Sequence, residues 1–257
     1  MWLDLESLEN RLRTQIIGRR LVYLTSTGST QDIARREAED GCAEGTIVLA
    51  EEQTAGRGRF GRAWVSPAGK NLYFTLVLRP PVSRLRSLTM IAPLAVALAV
   101  EEVCGLHAQI KWPNDVILEG RKLAGVLIEN ELAGEEVRYS LVGTGVNVNF
   151  EIPPDSEIAD IATSLKAHLG EEVSREAVVA SFLNHTEELC RAAIPTVVNS
   201  WKSRLQTLGQ AVRVTFGNQV HEGVADDADG EGNLLLRRDD GSVVTLEAGE
   251  VSLRDPG

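Results

Sequence analysis

The sequence predicts an α+β protein: a large mixed domain over residues 1–208, followed by a small β-barrel over residues 209–257. Three observations support this. A chain of 257 residues suffices for one large core and a satellite. Helical stretches alternate with strand-rich ones as far as Leu208. After Gly209 the apolar spacing changes to period two, with Val212, Val214 and Phe216 alternating with Arg213 and Thr215.

In chain order, Leu5–Ile17 carries Leu and Ile at helical spacing, and Arg20–Leu24 reads as a strand. Small hydroxyls in Ser26-Thr-Gly-Ser-Thr then precede the apolar-periodic segment that starts at Ile33, which is the pattern of a helix N-cap. Gly41 and Gly45 close that helix. Thr46–Glu51 and Asn71–Leu78 read as strands, the second stopped by Pro80-Pro81. Leu85–Val103 reads as a buried helix. Strands are expected at Ala108–Trp112, Val116–Leu118, Lys122–Glu131 and Val137–Val142, with Gly143-Thr-Gly-Val-Asn leaving the last. The region from Thr163 to Leu208 is helical, broken at Gly170 and Pro195. Beyond Gly209, Leu234–Leu236 and Val243–Leu246 flank the turn signal Asp240-Gly241.

Composition narrows the function. A net charge of −11 argues against general attraction to DNA, RNA or an anionic membrane, although Arg57, Arg59, Arg62 and Lys70 form a local basic stretch. The three cysteines, Cys42, Cys104 and Cys190, have no zinc, redox or disulfide spacing, and fit small side chains in a reducing compartment. The N-terminal Met1-Trp-Leu-Asp-Leu-Glu-Ser is acidic where a secretion signal is basic. The longest apolar run, Ile91–Val100, is ten residues and contains Pro93, short of the about 20 that cross a bilayer. A cytoplasmic protein is expected.

Two stretches stand out. In Gln53-Thr-Ala-Gly-Arg-Gly-Arg-Phe-Gly-Arg-Ala-Trp64, glycines 56, 58 and 61 match G-x-G-x-x-G, but a strand follows rather than the helix a dinucleotide site needs. Kinase, Walker A and Gly-x-Ser-x-Gly signatures are missing. Glycines that permit close backbone approach, together with guanidinium forks, suit a loop that orders around an anion. A solvated loop and an RNA-binding arginine–glycine segment remain open on these residues alone. The second stretch, Ile110-Lys-Trp-Pro-Asn-Asp-Val, places Lys111 and Asp115 beside a proline turn. A simple hairpin centred on Gly120 sets Leu118 opposite Lys122 and Asp115 opposite Gly125, which leaves room for a ligand.

Together these segments resemble biotin–protein ligases. The resemblance lies in Ser29-Thr-Gln, Gln53–Trp64, Lys111-Trp-Pro-Asn-Asp115, Arg121-Lys-Leu-Ala-Gly125 and Gly143-Thr-Gly-Val-Asn147, in the family's order, and runs from about residue 20 into the C-terminal segment. It implies a catalytic domain related to class II aminoacyl-tRNA synthetases and an SH3-like C-terminal barrel. It also implies biotin and ATP as substrates with accompanying Mg²⁺, and transfer to a lysine of the biotin carboxyl carrier domain of a carboxylase.

Carried over residue by residue, Ser29, Thr30, Gln31 and Gln53 look like contacts to biotin's ureido ring, whose carbonyl and N–H groups suit hydroxyls and amides. Family members often have Asn where Gln31 stands. Arg57, Gly58 and Arg59 resemble the part of the biotin site that closes over the adenylate. Arg62 and Lys111 resemble phosphate contacts, and Trp64 resembles the adenine platform. Asn114 and Asn147 are implied near the nucleotide. Lys122 resembles the lysine between the biotin carboxylate and the α-phosphate, with Asp115 and Arg59 as its catalytic companions. The resemblance does not indicate metal ligands. Because about 20 residues precede the first catalytic strand, a DNA-binding role is not expected, and either a monomer or a homodimer is compatible. The nearest alternatives are a lipoate–protein ligase, whose Gly-Gly-Gly signature is missing here, and a non-catalytic small-ligand or RNA-binding module.

Overall fold

The computed structural model describes residues 2–253. Its main sheet contains β1 (Leu21–Leu24), β2 (Ile47–Ala50), β3 (Leu72–Leu78), β4 (Gln109–Lys111), β5 (Asp115–Leu118), β6 (Arg121–Ala133) and β7 (Glu136–Val146). The spatial order is β1-β2-β3-β7-β6-β5-β4. Every neighbouring pair is antiparallel except β1 with β2.

Alternation along the strands gives the sheet two covered faces. Ile47, Leu49, Leu72, Phe74 and Leu76 face the large core, where α1 (Leu5–Arg11), α4 (Leu88–Cys104), α6 (Arg175–Arg191) and α7 (Ile194–Lys202) pack together. Val48, Val77 and Leu141 face the other way, against Ala34 and Ala38 of α2 (Thr30–Glu39). Two short helices, α3 (Val82–Leu85) and α5 (Leu165–Leu169), complete the large domain.

The C-terminal sheet has the order β11-β10-β9-β8-β12, built from β8 (Ala211–Phe216), β9 (Gln219–Ala228), β10 (Leu234–Arg237), β11 (Val243–Leu246) and β12 (Glu250–Leu253). Its Val212, Val214, Leu234 and Leu236 join the same apolar cluster as the large domain. Trp112 links the two parts: its backbone N–H donates to Thr207 Oγ1 and its indole Nε1 to the Gly232 carbonyl, both at 2.9 Å.

The differences from the sequence reading have physical causes. The first helix stops at Arg11 rather than Ile17, because side chains of α6 take the following backbone N–H groups. Asn184 Oδ1 accepts from Arg13, while the Glu187 carboxylate accepts from Gln15, Ile16 and Ile17. The expected helix at Leu85–Val103 is two helices, α3 and α4. Gly143 to Val146 do not leave β7 but continue it, since the glycines are strand positions under close approach. The β5–β6 hairpin turns through Glu119 and Gly120, both at positive φ (48° and 77°), and a bulge follows. That bulge sets Leu118 opposite Arg121 and Ile117 opposite Lys122, correcting the simple register, while Asp115 does face Gly125. The sequence reading does not include β9 and β12, because charged residues and a bulge at Asp226 blur the alternation of β9 and four residues are too few to reveal β12.

Candidate active site

The site lies on the α2 face of the sheet, and strand register builds its floor. Tyr73, Gly145, Gly125, Asp115 and Lys111 form one continuous cross-strand row from β3 to β4. The adjacent row is Thr75, Gly143 and Leu127. The two central glycines of the first row make a flat trough, and the Trp64 indole lies in it. A Cβ at Gly145 would come within 2.5 Å of the indole Nε1, and one at Gly125 within 3.2 Å of the ring. Trp64 Nε1 is buried and, among the described residues, has no hydrogen-bond partner. Lys122 Nζ lies 5.4 Å from the centre of the same ring and 2.7 Å from Asp115 Oδ1.

At one end of the floor stands a polar slot. Ser29 caps α2, its Oγ accepting from the Gln31 N–H at 3.3 Å. Gln53 Oε1 accepts from the Thr30 N–H at 2.9 Å and from Thr30 Oγ1 at 3.1 Å, and its Nε2 donates to Ser66 Oγ at 3.2 Å. Gln31 Nε2 donates to the Leu127 carbonyl and Gln31 Oε1 accepts from Thr75 Oγ1. The longer stem of Gln31 fits because Gly143 has no side chain, and a Cβ there would overlap Gln31 Oε1.

The glycine–arginine loop folds onto itself as a small hairpin: Trp64 N–H donates to the Gly56 carbonyl and Gly58 N–H to the Arg62 carbonyl. Gly56 is required by that packing, since a Cβ would meet the Trp64 carbonyl at 2.7 Å. The three arginines are already held. Arg57 forks onto Asp32 of α2, and this hydrogen bonding holds the Asp32 carboxyl below the usual range and raises Arg57. Arg62 forks onto Glu250 of β12 at 2.5 and 2.7 Å. Arg59 reaches inward to Asn114 Oδ1 at 3.0 Å and the Gly249 carbonyl at 3.2 Å, and burial lowers its pKa despite Asp115 and Glu250.

These groups line one cavity of about 540 Å³. Every residue that the family resemblance assigns to the site borders it: Ser29, Thr30, Gln31, Gln53, Arg57, Gly58, Arg59, Arg62, Trp64, Lys111, Asn114, Asp115, Lys122 and Asn147. Lys70, the fourth cation of the basic stretch, does not. Asn147 borders it with its amide turned to the protein, donating to the Thr163 carbonyl and accepting from Asn71 Nδ2.

Residues 23–147 match the Biotin/lipoate A/B protein ligase family, and residues 207–254 match the Biotin protein ligase C terminal domain. The bifunctional ligase/repressor of Bacillus subtilis is 37% identical, over 90% of this chain and 73% of its own length. The biotin–[acetyl-CoA-carboxylase] ligase of Paracoccus denitrificans is 36% identical, over 89% of this chain and 98% of its own. The chain belongs to the biotin protein ligase family. Among solved structures, the biotin protein ligase of Aquifex aeolicus in complex with biotin and ATP superposes with a TM-score of 0.79 at 33% identity, covering 92% of this chain and 99% of that one. The biotin protein ligase of Leishmania major in complex with biotinyl-5-AMP gives 0.65 at 26% identity, covering 90% and 99%.

As a biotin protein ligase, the chain adds site residues that sequence reasoning missed. Thr75 lies in a strand read as apolar and Thr144 in a segment read as leaving its strand, while Glu250 opens β12 and Gly249 precedes it, 190 residues beyond Arg59. A hydroxyl inside the apolar run Leu72-Tyr-Phe-Thr-Leu-Val-Leu was the available signal for Thr75. Glu250 offered none. Among the described residues, no three His, Cys, Asp or Glu side chains are grouped to hold a metal ion, and no helix is long and apolar enough to cross a membrane.

Proposed function

We propose that this chain joins biotin to ATP as biotinyl-5′-AMP, releasing pyrophosphate, and then transfers the biotinyl group to a lysine ε-amine on a biotin carboxyl carrier domain. One observation carries the assignment of roles: the polar slot at the α2 N-terminus and the Lys122–Asp115 pair open into the same cavity, on a glycine-floored trough. The slot offers hydroxyls and amides for a cyclic urea. The trough, with an indole in it, suits an aromatic base.

In the first step the biotin carboxylate attacks the α-phosphorus, the P–O bond to the β-phosphate breaks, and pyrophosphate departs. The Lys122 ammonium stabilises charge that accumulates on the α-phosphate, acting on the transition state more than on the ground state. Arg59, held by Asn114 and Gly249 at the cavity wall, is the second cation at that centre. Lys111 lies next to Asp115 in the floor row and Arg62 lies on the loop side of the cavity, where both suit the triphosphate. Arg57 and Arg62 leave Asp32 and Glu250 as the stronger anion arrives, so the loop closes and keeps water from the anhydride. Mg²⁺ would enter with ATP as part of the substrate and would supply charge neutralisation at the phosphates. In the second step Asp115 accepts a proton from the incoming amine, which attacks the acyl carbon and releases AMP.

We divide the chain at Gly209, where φ is +78° and the large domain gives way to β8. Cys42, Cys104 and Cys190 are free thiols, which supports a cytosolic location. Incubation with biotin, ATP and Mg²⁺ tests the reading: pyrophosphate release that depends on biotin, and labelling of a carrier domain, are expected. ATP turnover with lipoate but not biotin overturns it.

A further inference from the structure

Thr75 is fully buried at the centre of β3, a strand whose neighbouring residues are apolar. It touches both polar residues that follow Ser29: its Oγ1 lies 3.0 Å from Gln31 Oε1 and 2.9 Å from Thr30 Oγ1. A hydroxyl has one proton, so donor and acceptor accounting fixes the direction of each bond. Gln31 turns its Nε2 toward the Leu127 carbonyl, which only accepts, so Gln31 Oε1 faces Thr75. An amide oxygen only accepts as well, so the Thr75 proton goes to Gln31. The contact with Thr30 then holds together only if Thr30 donates. Gln53 Oε1 accepts the same proton at 3.1 Å. Thr30 therefore has no proton for the cavity and presents a lone pair. Ser29 has the opposite character: its Oγ accepts from Gln31 N–H, and among the described residues no acceptor takes its proton.

We propose that Thr75 is a positioning residue that sets the hydrogen-bond polarity of the slot, forcing Thr30 to accept, so that the slot selects a ring N–H and rejects an isosteric ring oxygen at that place. This rests on the reading of the slot as the site of a cyclic urea. Without the Thr75 hydroxyl, the Thr30 proton loses its short inward acceptor. Only the longer contact to Gln53 Oε1, 3.1 Å and shared with the Thr30 N–H, then holds the proton, which turns more readily toward a ligand oxygen.

The test is calorimetric titration of the full chain with biotin and with the two cyclic carbamates in which one or the other ring N–H is replaced by oxygen. Wild type should bind biotin and discriminate against one carbamate by about 100-fold or more, as expected when two acceptors are forced together. Thr75→Val should narrow that ratio by about tenfold whatever happens to absolute affinity, while Thr75→Ser, which restores the hydroxyl, should return it. A merely structural role would weaken all three ligands in parallel. Equal binding of biotin and both carbamates by wild type overturns the proposal without any variant, and so does an unchanged ratio in Thr75→Val. A wild-type chain that binds no biotin overturns the urea reading itself, a distinct outcome.

Discussion

The Lys122 ammonium is 2.7 Å from the Asp115 carboxylate, although the two residues are not directly opposed across the β5–β6 hairpin. The bulge that sets Lys122 against Ile117 brings the side chains together over Gly125, where no side chain intervenes. The pair separates two roles, stabilising phosphate charge and taking the amine proton. Lys122→Ala should lower pyrophosphate release by about 10²–10³. Asp115→Asn should leave adenylate formation within about tenfold and slow transfer to the carrier by about 10²–10⁴. Single-turnover measurements of the two steps check this, and equal losses in both variants would contradict it.

The trough predicts a steric effect. A methyl group at residue 145 would come within 2.5 Å of the Trp64 indole, so Gly145→Ala should displace the ring from the floor. The KM for ATP should rise by at least about tenfold with little change in biotin affinity, because loss of an aromatic stacking platform is worth about 1–3 kcal/mol per base. The two apparent constants, measured in one assay, decide it.

Arg62 and Glu250 tie the loop to β12 through a pair that is largely exposed, with side-chain accessibilities of 66% and 45%. Such a pair adds little stability, at most about 1 kcal/mol. Its importance lies in restraining the loop. Glu250→Lys should leave the thermal midpoint nearly unchanged and speed amide exchange across residues 57–64. The double charge swap, Arg62→Glu with Glu250→Lys, should restore protection at low salt, and less fully at high salt.

Glu187 provides a prediction in pH. Burial pushes its pKa up, but the N–H groups of Ile17, Gln15 and Ile16, with Arg191, outweigh burial and hold the carboxyl below the ordinary range. A depressed folded value means the contribution is present above the unfolded value, about 4.3, and disappears as pH falls through the folded one. Glu187→Gln should therefore destabilise by about 1–3 kcal/mol at neutral pH, and the difference from wild type should shrink in acid. Urea titrations at pH 7 and pH 3 measure both quantities.

Much of this site was legible because its chemistry is local in sequence. Ser29 to Gln31, the loop to Trp64, and Lys111 to Lys122 each carry residue types that a core does not require. What escaped depends on distance. Glu250 meets Arg62 only because β12 pairs with β8 beside Trp112, and no property of an isolated Gly-Glu announces this. The glycines at 143 and 145 read as leaving the strand because a strand normally loses stability at glycine. Their reason, an amide above one and an indole above the other, exists only once α2 and the loop have docked.

The order β1-β2-β3-β7-β6-β5-β4 also bears on synthesis. A ribosome delivers β3 well before β7, so the nascent chain holds a strand that is apolar but for Thr75, with one edge unpaired, until residue 146 has left the exit tunnel. Chains stalled before β7 should be protease-sensitive and prone to capture by chaperones, whereas chains stalled after it should resist. Equal resistance in both would show that the first three strands hold together unaided.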